Sequence, residues 1–472
     1  MNKGKKLGVL LGVLVAVCIV TFAVSRYEEK KEDIRVSGET VLSIDPDTVT
    51  AISWETDSGA LSFHREETWK YDGDDEFPVD EDKINERLAP FKDFNAAFTI
   101  ENADDISLYG LDTPECTISI TTSAKEYTIT LGDYSKMDAQ RYISFGDGNV
   151  YLATSDPTDM FSTELPRMIK NDTTPNLTKV DSIRFYGNER YNISYSEDGD
   201  SICADDVYFA DGKPLDTDKV NRYLRTISSL ALSNYATYTA TDSNLDFYGL
   251  AEPTLTFNLQ YANDDGSEES FTLSIGQNQS ELEVARKNNE DESSVQAYAR
   301  VGDSSIIYEL DADSFQALCK AGYDDLRHSA LFTGDFDAVT GLEFTLDGET
   351  QVFELTEVDD GKLLSSPELI WQYNGAEIDI DSIEDALASL TTESFTTDGD
   401  TDKLELGIKI LMDSDTHPRL DIRLYRRDGQ NCTAVIDGEV AALVARAEVV
   451  DMIEAVNAII LGSGEEWELT EK

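Results

Sequence analysis

Basic residues are scarce in this sequence of 472 residues. Its 38 lysines and arginines stand against 94 aspartates and glutamates, which gives a formal charge of −56 at pH 7. Such a field repels the phosphates of nucleic acids, and the chain has no basic patch with interleaved aromatic residues. We therefore expect no nucleic-acid partner. The excess of carboxylates is typical of a solvated outer surface, and attraction of cations or basic peptides is the alternative interpretation.

Cysteines are few and lie far apart in the chain. No Cys-x-x-Cys pair occurs, and the spacing fits neither a zinc site nor a disulfide framework. We interpret the cysteines as isolated, buried thiols. Cys18 follows Val17 instead of a small residue, so we expect no lipidation there. The five positions are Cys18, Cys116, Cys203, Cys319 and Cys432.

Motifs of catalysis are lacking. The only histidines, His64, His328 and His417, do not have the i, i+4 spacing of a helical zinc pair. The chain has no G-x-S-x-G nucleophile elbow, no phosphate-binding loop and no H-E-x-x-H motif. Carboxylate pairs are too abundant to single out an acid and a base. We expect no enzyme, no catalytic or cofactor-binding residues and no cofactor, and the sequence identifies no small-molecule substrate.

One acidic loop has oxygen ligands at alternate positions, as a calcium loop does. Asp398, Asp400 and Asp402 carry this pattern. A calcium-binding EF-hand loop needs glycine at its sixth position and glutamate at its twelfth, where this chain has Lys403 and Lys409. We therefore expect no dedicated metal site, and any calcium binding should be weak, multiple and sensitive to salt.

A single long apolar run stands out at the N-terminus. Residues 7–24 follow Lys3, Lys5 and Lys6, and a helix of this length spans about 27 Å, close to the roughly 30 Å hydrocarbon core of a bilayer. The positive-inside rule keeps the lysines cytoplasmic. We expect a single-pass protein of the cell membrane with most of the chain extracytoplasmic. A cleaved signal peptide is the alternative, since Ala23-Val24-Ser25 loosely fits a cleavage site.

The same order of features occurs three times after this run. The turn Pro78-Val79-Asp80 recurs as Pro214-Leu215-Asp216, and a weaker third copy lies at residues 375–384. Each turn precedes apolar residues spaced i, i+4, i+7, which form the core-facing stripe of a short helix. Aspartates in the turns can cap these helices. The stripes are Ile84, Leu88 and Phe91; Val220, Leu224 and Ile227; and Ile383, Leu387 and Leu390.

A second motif follows each helix. Tyr109-Gly110-Leu111 matches Tyr248-Gly249-Leu250, whereas the third copy, at residues 402–406, has lost the Tyr-Gly pair. Glycine here favours a tight turn. The runs that follow alternate and are rich in β-branched and aromatic residues, which indicates antiparallel sheet. Tyr109, Tyr248, Trp69 and Trp371 could line a carbohydrate groove, but their positions beside turns favour packing.

The predicted fold class is α+β, with three tandem modules of antiparallel sheet and short helices behind an N-terminal transmembrane helix. The length of the chain agrees with several domains. We place a cytoplasmic tip and anchor at residues 1–26, module 1 at 27–170, module 2 at 176–330, a divergent module 3 at 336–462 and an acidic tail at 463–472.

This order of features resembles the bacterial domain-of-unknown-function family 4340. The resemblance rests on the anchor, Trp69, the Pro-Val-Asp turn, the Tyr-Gly-Leu turn and a tyrosine-bearing strand after a glycine-containing loop, and it covers most of the chain after the anchor. It implies an accessory protein of gliding-motility or exporter-type ABC transport systems. Such a resemblance implies a partner and not a reaction, and it assigns no catalytic residues.

Two functions are compatible with these features. The first is a non-enzymatic, membrane-anchored extracytoplasmic accessory or scaffold protein of an ABC-type transport complex, with the membrane and transporter subunits as partners. The second is a cell-envelope binding module for glycan, cations or basic peptides. The first follows from the anchor, the repeats and the resemblance, and the second from the acidity and the repeated aromatic residues.

The membrane topology can be tested directly. Protease added to intact cells without an outer barrier should degrade the chain beyond Arg26, because the modules are expected outside. Protection under conditions that cleave a known surface protein would contradict this topology. A mature N-terminus at Ser25 or Arg26 would show that the chain is secreted and not anchored.

Overall fold

A computed structural model describes residue 21 and residues 38–177, 179–187, 190–263, 265–358 and 368–469. The predicted anchor, residues 7–24, falls outside these residues except for Thr21. Within the described residues, none of the helices combines the length and apolar character that crossing a bilayer requires. The described chain forms three antiparallel sheets of nine strands each, which confirms the predicted tandem sheet modules.

The first sheet contains the strands of residues 39–153. They lie in the order β1-β5-β9-β8-β7-β6-β2-β3-β4. The strands are β1 (Glu39–Leu42), β2 (Val49–Thr56), β3 (Gly59–Arg65), β4 (Trp69–Tyr71), β5 (Phe94–Ile100), β6 (Cys116–Thr122), β7 (Glu126–Ser135), β8 (Gln140–Ser144) and β9 (Val150–Ala153).

The second sheet has the order β13-β12-β11-β10-β15-β16-β17-β18-β14. Its strands are β10 (Lys179–Gly187), β11 (Asn192–Tyr195), β12 (Tyr208–Ala210), β13 (Lys213–Pro214), β14 (Tyr235–Thr237), β15 (Leu255–Ala262), β16 (Glu268–Gln277), β17 (Ala297–Val301) and β18 (Ile307–Leu310).

The third sheet has the order β22-β21-β20-β19-β24-β25-β26-β27-β23. Its strands are β19 (Val339–Leu346), β20 (Glu349–Val358), β21 (Glu368–Tyr373), β22 (Ala376–Glu377), β23 (Thr392–Phe395), β24 (Leu404–Met412), β25 (Arg419–Arg426), β26 (Asn431–Ile436) and β27 (Glu439–Ala445).

Helices connect and cover the strands. Those of the described chain are α1 (Glu81–Lys92), α2 (Thr158–Phe161), α3 (Thr217–Ser228), α4 (Gln279–Asn288), α5 (Ala312–Cys319), α6 (Tyr323–Leu326), α7 (Asp381–Ser389) and α8 (Arg446–Leu469). The last helix continues past residue 462, where we expected an acidic tail to begin.

The three sheets share one connectivity. A three-strand meander (β2–β4, β10–β12, β19–β21) leads into a helix (α1, α3, α7) and then a further strand (β5, β14, β23), which is at the sheet edge in the second and third sheets and next to it in the first. The next strand (β6, β15, β24) returns to pair with the first strand of the meander. Three more strands follow, and the last of them lies beside that further strand. The strand orders differ only in the short additional edge strands β1, β13 and β22.

The helix after each meander forms as its sequence predicts. Asp80 caps α1 by accepting a hydrogen bond from the Asp82 N–H at 3.0 Å, and Asp216 caps α3 by accepting one from the Lys219 N–H at 3.0 Å. The helix α7 begins without a side-chain cap at Ile380. The predicted apolar stripes of all three helices are buried.

Backbone packing explains the Tyr-Gly-Leu turn. Gly110 and Gly249 have φ angles of +68° and +67°, which glycine adopts without steric cost. A Cβ at Gly249 would lie 1.9 Å from the carbonyl oxygen of Gln277 in β16, and one at Gly276 would lie 2.2 Å from the carbonyl oxygen of Gly249. Gly132 in β7 meets the carbonyl oxygen of Tyr109 in the same way. Each turn therefore packs directly on a glycine of the sheet.

The third sheet has no such turn. Its strand β24 begins at Leu404, and β25 contains no glycine. Loss of the Tyr-Gly pair from the sequence thus coincides with loss of its glycine partner in the sheet, and the strand order stays the same. The prediction that the third copy keeps the topology with a different turn near Leu404 is confirmed.

The described chain divides into two compact units that do not follow the sheets. The first unit contains the first sheet with residues 232–244 and 303–309, which belong to the second sheet by sequence. Within this unit, Tyr238 donates a 2.6 Å hydrogen bond to Asp74 Oδ2, and its ring lies 5.2 Å from that of Phe77. The second unit contains the rest of the second sheet and the third sheet.

We expect Gly249→Ala to destabilise the second sheet more than Gly212→Ala does. Both glycines have positive φ, +67° and +82°, and a left-handed alanine costs about 1–2 kcal/mol. A Cβ at Gly249 would clash with backbone atoms of Gln277, whereas nothing lies within 4 Å of a Cβ at Gly212. Hydrogen–deuterium exchange of β15 and β16 in the full chain should show much larger loss of protection for Gly249→Ala. Equal losses for the two variants would refute this explanation of the turn.

Candidate functional site

The aromatic residues considered for a carbohydrate groove take part in packing. Trp69 is buried, and Trp371 lies partly buried against the core of the third sheet. Tyr109 contacts Tyr142 with ring centroids 4.9 Å apart. Tyr248 contacts Tyr298 at 5.0 Å, so the same tyrosine pair recurs in the second sheet. These contacts account for the recurrence of the two tyrosines.

The aspartates of the considered calcium loop lie in an exposed segment before β24. Asp400 Oδ1 accepts a hydrogen bond from the Asp402 N–H at 3.0 Å, and the Asp398 N–H donates to Thr396 Oγ1 at 3.1 Å. These aspartates do not form a metal-ligand cluster. In the part of the chain that the structure describes, three side chains whose ligand atoms converge lie in a different place, in the second module. They are Cys203, Asp206 and His328.

The other two histidines each lie beside a carboxylate. His64 Nδ1 lies 2.6 Å from Asp72 Oδ1, and this hydrogen bond raises the pKa of the His64 imidazole above its usual value. His417 Nδ1 lies 3.6 Å from Asp200 Oδ1. His64 Nε2 also lies 3.9 Å from Glu66 Oε1. Within the described residues, however, neither histidine belongs to a group of three side chains whose ligand atoms converge.

The thiols of the described chain are all free. Burial raises the pKa of Cys116 and of Cys432 to about 12, and that of Cys319 to about 11. Burial also raises the pKa of Cys203. The four thiols are unpaired, as predicted, but only Cys116 and Cys432 are buried, whereas Cys203 and Cys319 are partly buried. Cys203 also has a carboxylate and an imidazole beside it. Cys18 falls outside the described residues.

Asp206 is the centre of the three-residue group. Its side chain is only 1% exposed, so its carboxylate needs close polar partners. His328 Nε2 lies 2.8 Å from Oδ1 and 2.9 Å from Oδ2, and Ser201 Oγ donates to Oδ2 at 2.8 Å. The ligand atoms of Cys203, Asp206 and His328 all lie within 4.8 Å of one another.

Local turns position these side chains. The segment between β11 and β12 makes a tight turn in which the Asp206 N–H donates to the Cys203 carbonyl at 3.2 Å. The Cys203 N–H donates to Ser201 Oγ at 3.2 Å. His328 follows α6, and its Nδ1 lies 3.8 Å from Oδ2 of Asp216, the residue that caps α3. The cluster thus connects two segments of the second module. Cys203 and Asp206 come from the meander, and His328 comes from the end of the module.

The cluster lies where the second module continues into the third. Lys219 Nζ donates to the Arg327 carbonyl and to Ser329 Oγ, both at 2.7 Å. The next residue, Ala330, forms an isolated β-bridge with Thr391. Ile202, from the same segment as Cys203, packs against the hydrophobic core of the third sheet. The segments that hold the cluster are therefore fixed on both sides of this junction.

A groove of about 1100 Å³ lies beside α4, the helix between β16 and β17 of the second module. This helix has no counterpart in the other two sheets and was not predicted, although Asn278 carries the signal. Its side chain accepts hydrogen bonds from the N–H groups of Ser280 and Glu281 as an N-cap. Across the groove wall, Arg286 forms two hydrogen bonds of 2.9 and 2.8 Å with the Glu292 carboxylate.

The side chains at the centre of the outward face of the second sheet include no carboxylate, whereas Glu268 of β16, which pairs with Ala262, lies on the same face at its margin. Alternation places these side chains opposite the buried residues of the same strands. Three cross-strand rows make up this surface, which we name the carboxylate-free face. They are Ser194, Ser182, Gln260 and Ser270; Asn192, Arg184, Asn258 and Thr272; and Tyr186, Thr256, Ser274 and Arg300. Side chains along it are hydrogen-bonded to each other, for example Thr256 to Ser274 at 2.9 Å.

The equivalent face differs between the other two sheets. In the first sheet, one cross-strand row consists of Ser62, Ser53, Ser119 and Thr128. In the third sheet, the corresponding surface carries ion pairs, including Lys409 with Glu343 at 3.0 Å. Tyr186 and Thr256 of the carboxylate-free face also line the groove beside α4. Rows of hydroxyl-bearing side chains without carboxylates therefore occur in sheets 1 and 2, whereas sheet 3 combines a hydroxyl pair, Thr345 with Thr350, with ion pairs.

Comparison with known proteins gives one match. The family model of the domain of unknown function DUF4340 matches residues 69–253 and residues 210–408. Each match begins in the third strand of a meander, β4 or β12, and extends into the next module. No curated protein and no solved structure matches the chain. Since the two matches together cover most of its length, the chain belongs to the DUF4340 family.

Proposed function

We propose that this protein is a non-enzymatic, membrane-anchored scaffold outside the cytoplasm, an accessory of an ABC-type transport complex. The carboxylate-free face of the second sheet is the single observation that carries the proposal. The proposed partner is a protein that covers this face. Partner class and location come from the predicted anchor and from what the family resemblance implies.

The argument starts from charge. A chain with a formal charge of −56 would place carboxylates on every solvated surface if their distribution were random. The three rows of the carboxylate-free face contain none, and their charged members are Arg184 and Arg300. The core of a protein–protein interface is depleted of charged residues, since buried charges lose hydration. The absence of carboxylates from these three neighbouring rows is what the core of such an interface requires.

The shape of the surface also favours a protein partner. Serine, threonine and asparagine side chains along the rows are short, and neighbouring ones bond to each other, as Asn258 Nδ2 does to Thr272 Oγ1 at 2.8 Å. A surface of short, ordered side chains loses little conformational entropy when it is covered. The adjoining groove beside α4 offers a concavity of about 1100 Å³ for a protruding element.

A pair of matched double variants tests the proposal. Thr256→Glu/Ser274→Glu places two carboxylates on the carboxylate-free face. Thr345→Glu/Thr350→Glu places the same charges on a cross-strand pair of the third sheet, where the hydroxyls also bond, at 3.2 Å. Each full-length variant is cross-linked in native membranes and purified, and the recovered proteins are identified. Because an uncompensated buried charge costs more than the 1.4 kcal/mol that equals a factor of ten, we expect at least about a tenfold loss of partner for the first variant only.

The outcome separates the candidate functions. Recovery of transporter subunits with the unaltered chain and the control variant supports the proposal. Failure to recover any membrane protein, or the same loss with both variants, contradicts it. Recovery of wall glycan without protein would favour the envelope-binding alternative.

A further inference from the structure

We propose that Cys203, Asp206 and His328 bind one divalent cation of the zinc class. The site lies in the second sheet's module, at the junction with the third. It uses none of the residues of the carboxylate-free face.

The first argument is the convergence of three different ligand types. A thiol sulfur, a carboxylate oxygen and an imidazole nitrogen lie within 4.8 Å of one another. Zinc bond lengths of about 2.0–2.3 Å place tetrahedral ligand atoms about 3.3–3.8 Å apart. His328 Nε2 and Asp206 Oδ1, at 2.8 Å, therefore separate slightly on binding. An ion then replaces the direct hydrogen bond between imidazole and carboxylate.

The second argument is that outer groups already orient the ligands. Ser201 Oγ holds Oδ2 of Asp206 at 2.8 Å, and the Asp216 carboxylate lies 3.8 Å from Nδ1 of His328. A carboxylate beside the far nitrogen of a ligating histidine is the usual support of a metal site, because it fixes the ring and raises its basicity. With Nδ1 facing Asp216, Nε2 is the nitrogen that faces the ion.

The ligand set selects the class of metal. Calcium and magnesium prefer six or more oxygen ligands, whereas sulfur and nitrogen donors favour zinc and similar transition metals. Binding requires the Cys203 thiolate, so the thiol proton passes to solvent as the Cys203–metal bond forms. Three protein ligands leave a fourth position for water.

The proposed ion would stabilise the junction between the modules. It would link the segment of Cys203, whose neighbour Ile202 packs on the core of the third sheet, to His328. Two residues after His328, Ala330 pairs with Thr391 of the third module. The proposal departs from our expectation of no dedicated metal site. That expectation rested on spacing along the chain, which does not show that His328 returns to residues 203–206.

The experiment uses the full-length, reduced protein in detergent with moderate salt, which suppresses weak binding to surface carboxylates. Zinc is titrated by calorimetry, and cobalt(II) is added as a spectroscopic probe of sulfur coordination. We expect one zinc per chain and a cobalt–thiolate absorption band. Cys203→Ser should remove the band, and both Cys203→Ser and His328→Gln should weaken zinc binding by at least about tenfold, since metal ligands and their supports typically contribute 10–100-fold.

Matched variants control for folding and for other thiols. Cys319→Ser removes another half-buried free cysteine of the same module, and His64→Gln removes another carboxylate-paired histidine. Both should keep the single zinc site and the cobalt band. Zinc should also protect amides of residues 326–332 from hydrogen exchange in the unaltered chain. Zinc binding that is unaffected by Cys203→Ser and His328→Gln, or the absence of one saturable site, would overturn the proposal.

Discussion

Each module depends on one long-range strand pairing. The first strand of the meander pairs with the second strand after the helix, as in Ile52 with Ile120, Ile183 with Leu259 and Leu342 with Ile410. Most of the remaining strand pairs in a sheet are hairpins between neighbours in sequence. The central pairing must close a loop that contains the helix, which costs conformational entropy. We expect this cost to be offset only when the apolar faces of both halves pack together during folding. The buried residues Phe91, Ile227 and Leu387 of the three helices contribute to those cores.

Local features could be read from the sequence, but this pairing could not. Antiparallel strands after each Tyr-Gly-Leu turn were predicted, and β6 (Cys116–Thr122) and β15 (Leu255–Ala262) form there, because alternation and flanking turn residues act within a few positions. The amphipathic helices at Asp80 and Asp216 were predicted for the same reason. Strand order depends on contacts between residues about 70 positions apart, for which a single sequence carries no local signal. The helix α4 was missed although Asn278 offered a cap, since it interrupts an otherwise repeating pattern.

The candidate sites required the fold before they could be seen. Cys203 and Asp206 are separated from His328 by more than 120 residues, and the spacing rules for zinc sites detect only ligands that are close in sequence. The carboxylate-free face is equally hidden. Ser182, Gln260 and Ser270 become neighbours only through the register of β10, β15 and β16. The sequence gives the net charge of the whole chain, but this value does not show which parts of the surface lack carboxylates.

Differences among the repeats indicate a division of roles. Sheets 1 and 2 keep the glycine-packed turn and the hydroxyl rows, whereas sheet 3 has lost the turn and carries ion pairs such as Glu343 with Lys409. The strand order survives in all three, so neither feature is needed for the fold itself. The presence of the turn and of the hydroxyl rows in sheets 1 and 2 therefore needs an explanation other than the strand order. The turn packs on a glycine of the sheet in the modules that keep it, and the exposed hydroxyl rows of the second sheet form the surface for which we propose a partner.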